Sequence, residues 1–550
     1  MLLCFTGAFL HAQVEENGIY GERADSLDAA VFVGRSDANY LSRGKELRTE
    51  VISSAGLMKM ACCTLAESFE NSASVTVGYA DATTGARQIR LLGLSGIYTQ
   101  MLDENRPTMR GITAPYGLSY MPGPWLESIQ VGKGSPSVVN GTESITGSIN
   151  TEYAKPTDGK PLFVNASIMS DTKTDFNVTS SFQVADNLYT VVMGHVDGNF
   201  RTYDMNDDGF ADEPSALQIN AANRWLWYSP EVQIRWGVRY VHDSRKGGQT
   251  DGLWKSDIDA NLANAYAKIG RSLREDGASS IALVADYTLQ KTGSTFGRNL
   301  YDAQQQSLFA NLIYRNQFTE AHDLTAGVNA TFDFLCEDIL GGGQNVDGVS
   351  QILSQIAPYA EYTFRNGEAL SVIAGFSGTV IPHHGFYPAP RLTVKYQPRE
   401  DFVLRMNGGR GLRFSHPISD NIGVLSTGKP LLGDLSRRLL EDAWTFGGNA
   451  TYYFGEKTYL SLDYFHTRFI SALLTDRESD GYISFYSLDG HRAWSRNFQA
   501  DFSTEPLDRL SLTLTGRYTE AKAWQPSGKV RGLPLSSRYK VLLNAQYKAR

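Results

Sequence analysis

Long apolar runs are missing from this chain. After the first dozen residues no uncharged apolar stretch reaches the roughly 20 residues a spanning helix needs, which excludes a helical membrane protein. Cysteine is scarce. Cys4, Cys62, Cys63 and Cys336 give no disulfide framework, since the adjacent pair could close only a strained ring and Cys336 is remote. No excess of one charge sign is concentrated anywhere. The net charge is −8, with acids and bases interspersed, so no basic stripe offers itself to a polyanion and nucleic acid is excluded as a partner. Also absent are a G-x-S-x-G elbow, an H-E-x-x-H pair and a P-loop, and the many carboxylates share no recurring context. The chain is read as a non-enzyme.

Aromatics and glycine, by contrast, are plentiful. The 28 Tyr, 26 Phe and 52 Gly suit a large antiparallel β structure, with aromatics on the pleat and glycine in the turns. From about Lys160 onward, segments of alternating character are separated by turns, the signature of a transmembrane β-barrel. In Leu510 to Tyr518, Leu510, Leu512, Leu514, Gly516 and Tyr518 oppose Ser511, Thr513, Thr515 and Arg517. In 539–548, Tyr539, Val541, Leu543, Ala545 and Tyr547 oppose Lys540, Asn544, Gln546 and Lys548; in 401–408, Phe402, Leu404 and Met406 oppose Asp401, Arg405 and Asn407.

Connections alternate in length. Short turns at 229–231, 365–367, 398–400 and 455–456 alternate with long polar ones near 200–215, 243–257, 292–303, 335–353, 410–440, 471–489 and 521–535. Bacterial barrels keep short turns in the periplasm and long loops outside, and about 18 strands fit this alternation from Leu162 on. The sequence stops at Lys548-Ala549-Arg550 just after a descending strand. An open edge in lipid is prohibitively costly, so the reading expects a barrel truncated by a few strands.

Residues 1–13 resemble the apolar region and cleavage zone of a signal peptide, without its basic start; a buried strand is the alternative. Residues 14–40 read as a flexible segment, 41–156 as a mixed domain rich in glycine connections, and 157–550 as the barrel.

The segment 121–150, MPGPWLESIQVGKGSPSVVNGTESITGSIN, resembles the plug signature of TonB-dependent outer-membrane receptors: an amphipathic strand, then Lys133-Gly134, Ser137, Asn140-Gly141, Ser144, Gly147 and Ile149-Asn150. Ile89–Gly93 and Met101–Pro107 resemble the two preceding plug strands, but Leu92 stands where the pattern has Arg, and Glu104 where it has Gly. Ala389–Tyr396, Gly409–Pro417 and Leu439–Tyr464, with Glu441 at a recurrent acidic position, resemble later barrel segments.

The resemblance implies a mostly β protein: a 22-stranded antiparallel transmembrane β-barrel, incomplete here, closed by an N-terminal α+β plug. It implies a monomer in outer-membrane lipid that imports a small-molecule metal complex, an iron–siderophore or haem. A copper or cobalamin importer is the alternative within the family, and a passive porin or adhesin a distant one. TonB is the implied partner, adding a strand to Asp28-Ala29-Ala30-Val31-Phe32-Val33, a β-prone segment after polar 18–26; an ordinary plug strand is the alternative.

Candidate ligand contacts are Tyr98, Arg106, Met109, Arg110, Tyr116 and Tyr120 at the plug apices, where aromatics and arginine suit a planar anionic chelate, or else pack the plug against the barrel. His383 and His384 fall in an external loop and could ligate a metal or haem iron, or be plain solvated residues. Asp204, Asn206, Asp208, Phe210 (by its carbonyl) and Asp212, with Gly209 at the turn, have the spacing of a Ca²⁺ loop, although Ser215 replaces the closing bidentate acid unless Glu213 substitutes; a structural Ca²⁺ is the one cofactor expected, and an acidic external hairpin loop is the alternative. Met58, Met60, Cys62 and Cys63 could offer soft ligands to Cu(I), against a helical reading of Leu57–Phe69 that makes them core.

Overall fold

A computed structural model describes residues 39–547 except 60–62, 82, 158, 170–172, 342–343, 383, 434, 436–438, 456, 477–478, 480 and 508. Residues 28–33, the expected TonB box, lie outside the described residues, as do the expected signal segment, His383, Met60 and Cys62.

The alternating half of the sequence forms one antiparallel meander. Nineteen strands run in chain order from Phe163–Ile168 to Tyr539–Tyr547, eighteen of them without the three-residue Val530–Gly532. Pairing inside each strand puts every second side chain on one face, and the sequence makes the two faces different. One is apolar and exposed: Val238, Leu462, Phe376, Phe498 and Leu514 stand on it. The other is polar and buried: Asp243, Arg405, Asp463, Asp501 and Thr515 point inward. A water-soluble sheet would be polar outside; this one is inverted, the chemistry of a wall that faces lipid. Among the described residues no helix is long and apolar enough to cross a membrane.

Aromatic pairs gather near the short-turn end. Tyr189 stacks on Tyr228 with centroids 6.0 Å apart, and Trp225 on Trp236 at 5.8 Å. Amphipathic rings of this kind suit a membrane interface.

Three expected long loops are mostly strand. Val232–Gly248 with Lys255–Ser272, Ser279–Phe296 with Asn299–Thr319, and His322–Gly341 with Gln344–Asn366 run nearly to their tips. The polar residues there ended the apolar alternation but not the pairing, because beyond lipid both faces of a hairpin can be wet while the ladder continues. The connections 200–214, 415–439, 472–492 and 525–538 remain long, and all lie at one end. Two of them carry a small sheet of Leu431–Leu432, Ile483–Ser487 and Leu473–Asp476.

The N-terminal region folds inside this wall. A six-stranded mixed sheet runs Asn39–Leu41, Thr49–Ser53, Leu126–Lys133, Gly147–Tyr153, Thr99–Asp103, Arg106–Pro107, with the last long pair parallel. A second sheet joins Val75–Asp81, Ala86–Leu91 and Leu94–Ser95. Ile129, Val131, Ile149, Phe69, Leu91 and Trp125 are fully buried between them, each worth about 1.5–3 kcal/mol of transfer free energy. The helix expected over 57–69 is shorter and earlier: Ser54–Lys59, then turns and a 3-10 turn at Glu67–Phe69.

Wall residues all round the sheet meet this plug. Gly134 shows how closely: its φ is +89°, and a Cβ there would sit 1.9 Å from Asn407 Oδ1. Only glycine fits both the backbone angle and the gap.

Candidate functional site at the long-loop end

A cavity of about 250 Å³ opens between the plug apices and the long connections. Its floor is the plug segment 94–101 with 108–111; its sides are Phe414–His416, Phe469, Leu473–Leu474, Tyr486 and Trp494 from the wall and loops.

Tyr98 is held at the floor by three contacts. Its hydroxyl donates to Glu441 Oε1 at 3.1 Å, Phe469 meets its ring edge-on at 5.0 Å, and the Arg413 guanidinium lies 5.6 Å over its face. Burial, then Glu441, pushes the Tyr98 phenol well above its ordinary value, so it stays a neutral donor. Arg413 is itself clamped between Glu441 at 2.5 Å and Asp420 at 2.9 Å. Arg110 reaches Glu143 at 2.6 Å and Asp333 at 3.0 Å. Burial disfavours its charge, but Asp333 and Glu143 outweigh that and keep it cationic. Met109 adopts φ +53° and lies over Gly117, where a Cβ would come within 2.7 Å of Met109 Cγ. Met101 also lines the floor.

Of the expected contacts, then, Tyr98, Met109 and Arg110 converge on one cavity. Arg106, Tyr116 and Tyr120 do not line it. Arg106 is buried between plug and wall, paired with Asp103 at 3.1 Å and Asp286 at 2.5 Å, 3.7 Å over the Tyr266 ring. Tyr116 packs under Arg245 at 5.1 Å, and Tyr120 is buried beside it. His384 is exposed at a hairpin tip, its ring 5.7 Å from Phe414. Arg413, Asp420 and Trp494 were not among the expected contacts. Arg413 was within reach of sequence reasoning, since it sits in GRGLRFSHP where a strand runs into the longest connection.

The other expected metal sites look different in space. In 204–212, Asp204 accepts the N–H of Asp208 at 3.1 Å and of Gly209 at 2.8 Å, and Asp212 accepts that of Met205 at 2.8 Å. The loop thus winds round its own carboxylates, with Gly209 at φ +82°. Met58 is exposed whereas Cys63 is buried. Burial, then Asp175 and Glu67, pushes the Cys63 thiol up to about 12, leaving it protonated and a poor soft ligand.

Below the cavity the plug is tied to the wall by buried ion pairs. Arg48 meets Asp463 at 2.7 Å and Asp501 at 2.8 Å; Lys133 meets Asp463 at 2.8 Å. Glu104 pairs with Arg224, and Lys268 Nζ donates to the Glu104 carbonyl at 2.6 Å.

No family model matches the sequence, and no curated protein matches it. Solved structures do. The copper transporter OprC superposes with a TM-score of 0.73 at 14% identity, over 93% of this chain and 84% of that one. The siderophore receptor PirA from Acinetobacter baumannii gives 0.71 at 13%, over 92% and 84%. FpvA of P. aeruginosa, bound to heterologous pyoverdines, gives 0.70 at 12%, over 93% and 74%. These likenesses are of fold, and with the inverted wall and the enclosed N-terminal sheets they show that the chain has the plugged β-barrel fold of these receptors and of that transporter.

Proposed function

We propose that this chain is an outer-membrane receptor that captures a metal chelate from outside and passes it to the periplasm when TonB displaces the plug. The observation that carries this reading is the cavity shared between plug apices and long loops. A ligand seated there touches both the fixed wall and the part that must move. The rim arginines Arg110 and Arg413 are already paired with carboxylates. The site therefore suits a chelate with aromatic or apolar faces, a siderophore complex or haem, better than a bare anion.

The plug's anchorage supports energy coupling. Separating a buried charge from its partner costs about 3–5 kcal/mol, and at least Arg48, Lys133, Glu104, Arg106 and Arg110 have partners in the wall. Thermal motion does not undo such a set together, so a pull from the inner membrane is needed. The segment 28–33 offers the β-prone strand for it. A passive porin would have no use for a charged, tightly packed plug, and nothing in this arrangement calls for catalysis.

Copper is the second reading, favoured by Met101, Met109 and His416 lining the same cavity. The test is growth of a receptor-deleted strain carrying the full-length gene, with iron–siderophores, haem, copper or cobalamin as the limiting source. Rescue by one chelate, lost with Val31→Pro and weakened by Trp494→Ala, supports chelate import. Rescue by copper, lost with Met101→Leu and Met109→Leu, supports the second reading. Rescue that survives Val31→Pro overturns TonB coupling through this segment.

A further inference from the structure

Outside that cavity, the inner face of the second and third wall strands carries a group of side chains that the transport reading does not use. Asp175 on Thr174–Ala185 stands directly opposite Asp197 on Leu188–Asn199, and His195 lies two residues before Asp197 on the same face. All three are buried, at 3%, 8% and 1% exposure. One ligand atom from each lies within 4.8 Å of the others, and among the described residues no other trio of His, Cys, Asp or Glu comes so close.

The arrangement is poorly explained as packing. Asp175 Oδ2 and Asp197 Oδ2 have only long contacts, with His195 Nδ1 at 3.3 Å and Lys173 Nζ at 3.5 Å, and His195 Nε2 has no hydrogen-bond partner. A buried ring nitrogen with no partner, beside carboxylates held only at long range, is costly to keep for packing alone. Two aspartates and the nearby Glu67 face Lys173, which is 3.5 Å from Asp197 and 3.2 Å from Glu67. Arg87 approaches Glu67 only at 3.8 Å. Negative charge is therefore in excess around the trio.

We propose that Asp175, His195 and Asp197 form a binding site for a divalent transition cation of the Zn²⁺ type. His195 Nδ1 and Asp175 Oδ2 are 3.3 Å apart. Two ligands each about 2.0–2.1 Å from a tetrahedral Zn²⁺ stand roughly 3.3–3.4 Å apart, so this edge is already preset. One imidazole and two carboxylates suit Zn²⁺ better than Ca²⁺, which asks for six or more oxygens. Asn177 orients Asp175 through its amide nitrogen, and its oxygen, 3.0 Å from His195 Nδ1, holds the ring there only until the metal takes that nitrogen. In the metal-free site Nδ1 faces two acceptor oxygens and so carries the ring proton; binding puts the cation in its place and leaves that proton on Nε2. A cavity of about 100 Å³, lined by Glu67, Arg87, Lys173, Asp212 and Arg245, reaches the trio at Asp197. Lys173 is the resident competitor for Asp197. The metal would brace the second and third wall strands where they meet the plug.

The test is titration of the chelator-stripped, detergent-purified full chain with Zn²⁺ and with Co²⁺, the latter read by its visible spectrum. One saturable ion per chain is expected, with intense Co²⁺ bands of low coordination number. His195→Gln and Asp197→Asn should each weaken affinity at least tenfold, while Asp204→Asn in the external loop leaves it unchanged. Lys173→Met should tighten it about threefold or more, an effect that a site serving only to pack the wall would not produce. Absence of saturable binding in both the unaltered chain and Lys173→Met overturns the proposal. So does binding that is indifferent to His195→Gln and Asp197→Asn, or abolished by Asp204→Asn.

Discussion

Glu104 on the plug sits at φ +47° and is ion-paired through its buried carboxylate with Arg224 of the wall. The turn it occupies favours glycine, yet a glycine could not hold Arg224. Burial alone would raise this carboxyl, but Arg224, then Lys155, Lys268 and Arg106, outweigh it and hold it well below its ordinary value. Electrostatics therefore wins over backbone strain, which at one left-handed residue is only about 1–2 kcal/mol. Glu104→Gly should relieve that strain and still destabilise plug docking by a net ~2–3 kcal/mol, because Arg224 is left buried and unpaired. Glu104→Gly with Arg224→Met should recover much of the loss. A double-mutant cycle on thermal unfolding checks it; a stabilising single Glu104→Gly would refute it. The depressed carboxyl fixes the pH sense: its contribution is complete above the unfolded value near 4.3 and is lost only as pH falls through the lower folded value.

Lys133 and Arg48 share Asp463, but they are not equivalent. Burial, then the neighbouring Arg48, pushes the Lys133 amine down to about 8. Its charge is therefore an uncomfortable one, whereas Arg48 also serves Asp501 and Ser74. Lys133→Met should cost about 1 kcal/mol or less, and Arg48→Met about 3–5 kcal/mol, since only the second leaves an aspartate, Asp501, without its paired cation. Because the folded amine releases its proton before the unfolded one, near 10.4, stability should rise with pH between about 8 and 10.4. Melting curves of the unaltered chain across that window should show the rise, and Lys133→Met should lack it.

The wall was legible from sequence because its rule is local. Alternation assigns Arg405 and Asn407 inward and Met406 outward, and burial follows that assignment. The plug's place was legible from 121–150, whose Gly134 has a geometric duty against Asn407. Hairpin length was not, since pairing beyond lipid needs no apolar face. Nor was the mouth. Tyr98 meets Glu441 across 343 residues, and nothing in the neighbourhood of Arg106 says that it turns toward Asp286 instead of the cavity. The trio at Asp175, His195 and Asp197 escaped for the same reason: register across two strands, and not spacing along one, brings it together.

The external loop 204–212 predicts a metal-removal effect of its own. Its carboxylates already cap the loop's own N–H groups, so a Ca²⁺ there would brace an existing turn and bind weakly, at about 10⁻⁴–10⁻³ M by analogy with extracellular modules. Limited proteolysis between Tyr203 and Pro214 should slow severalfold in millimolar Ca²⁺, return to the faster rate with chelator, and lose the response in Asp208→Asn. Cleavage indifferent to Ca²⁺ would leave the loop as an ordinary acidic turn.

The outward face predicts the cost of a misplaced charge. Leu462 is half exposed between the lumen-facing Ser461 and Asp463, four residues into Thr458–Ser471, and beside it Tyr464 and Phe498 pack with ring centroids 4.5 Å apart. In lipid, Leu462→Arg should cost about 2–4 kcal/mol, because an arginine near the bilayer midplane loses its hydration. Arg468, on the same face of the same strand but six residues nearer the long-loop end, is already tolerated, which places it toward the interface. Assembly in cells, followed by the heat-modifiable mobility of folded barrels, should therefore fall with Leu462→Arg and hold with Leu462→Ala. Arg468→Leu should leave it unchanged. If Leu462→Arg assembled as well as the unaltered chain, this face would be in water, and the membrane reading of the wall would fall with it.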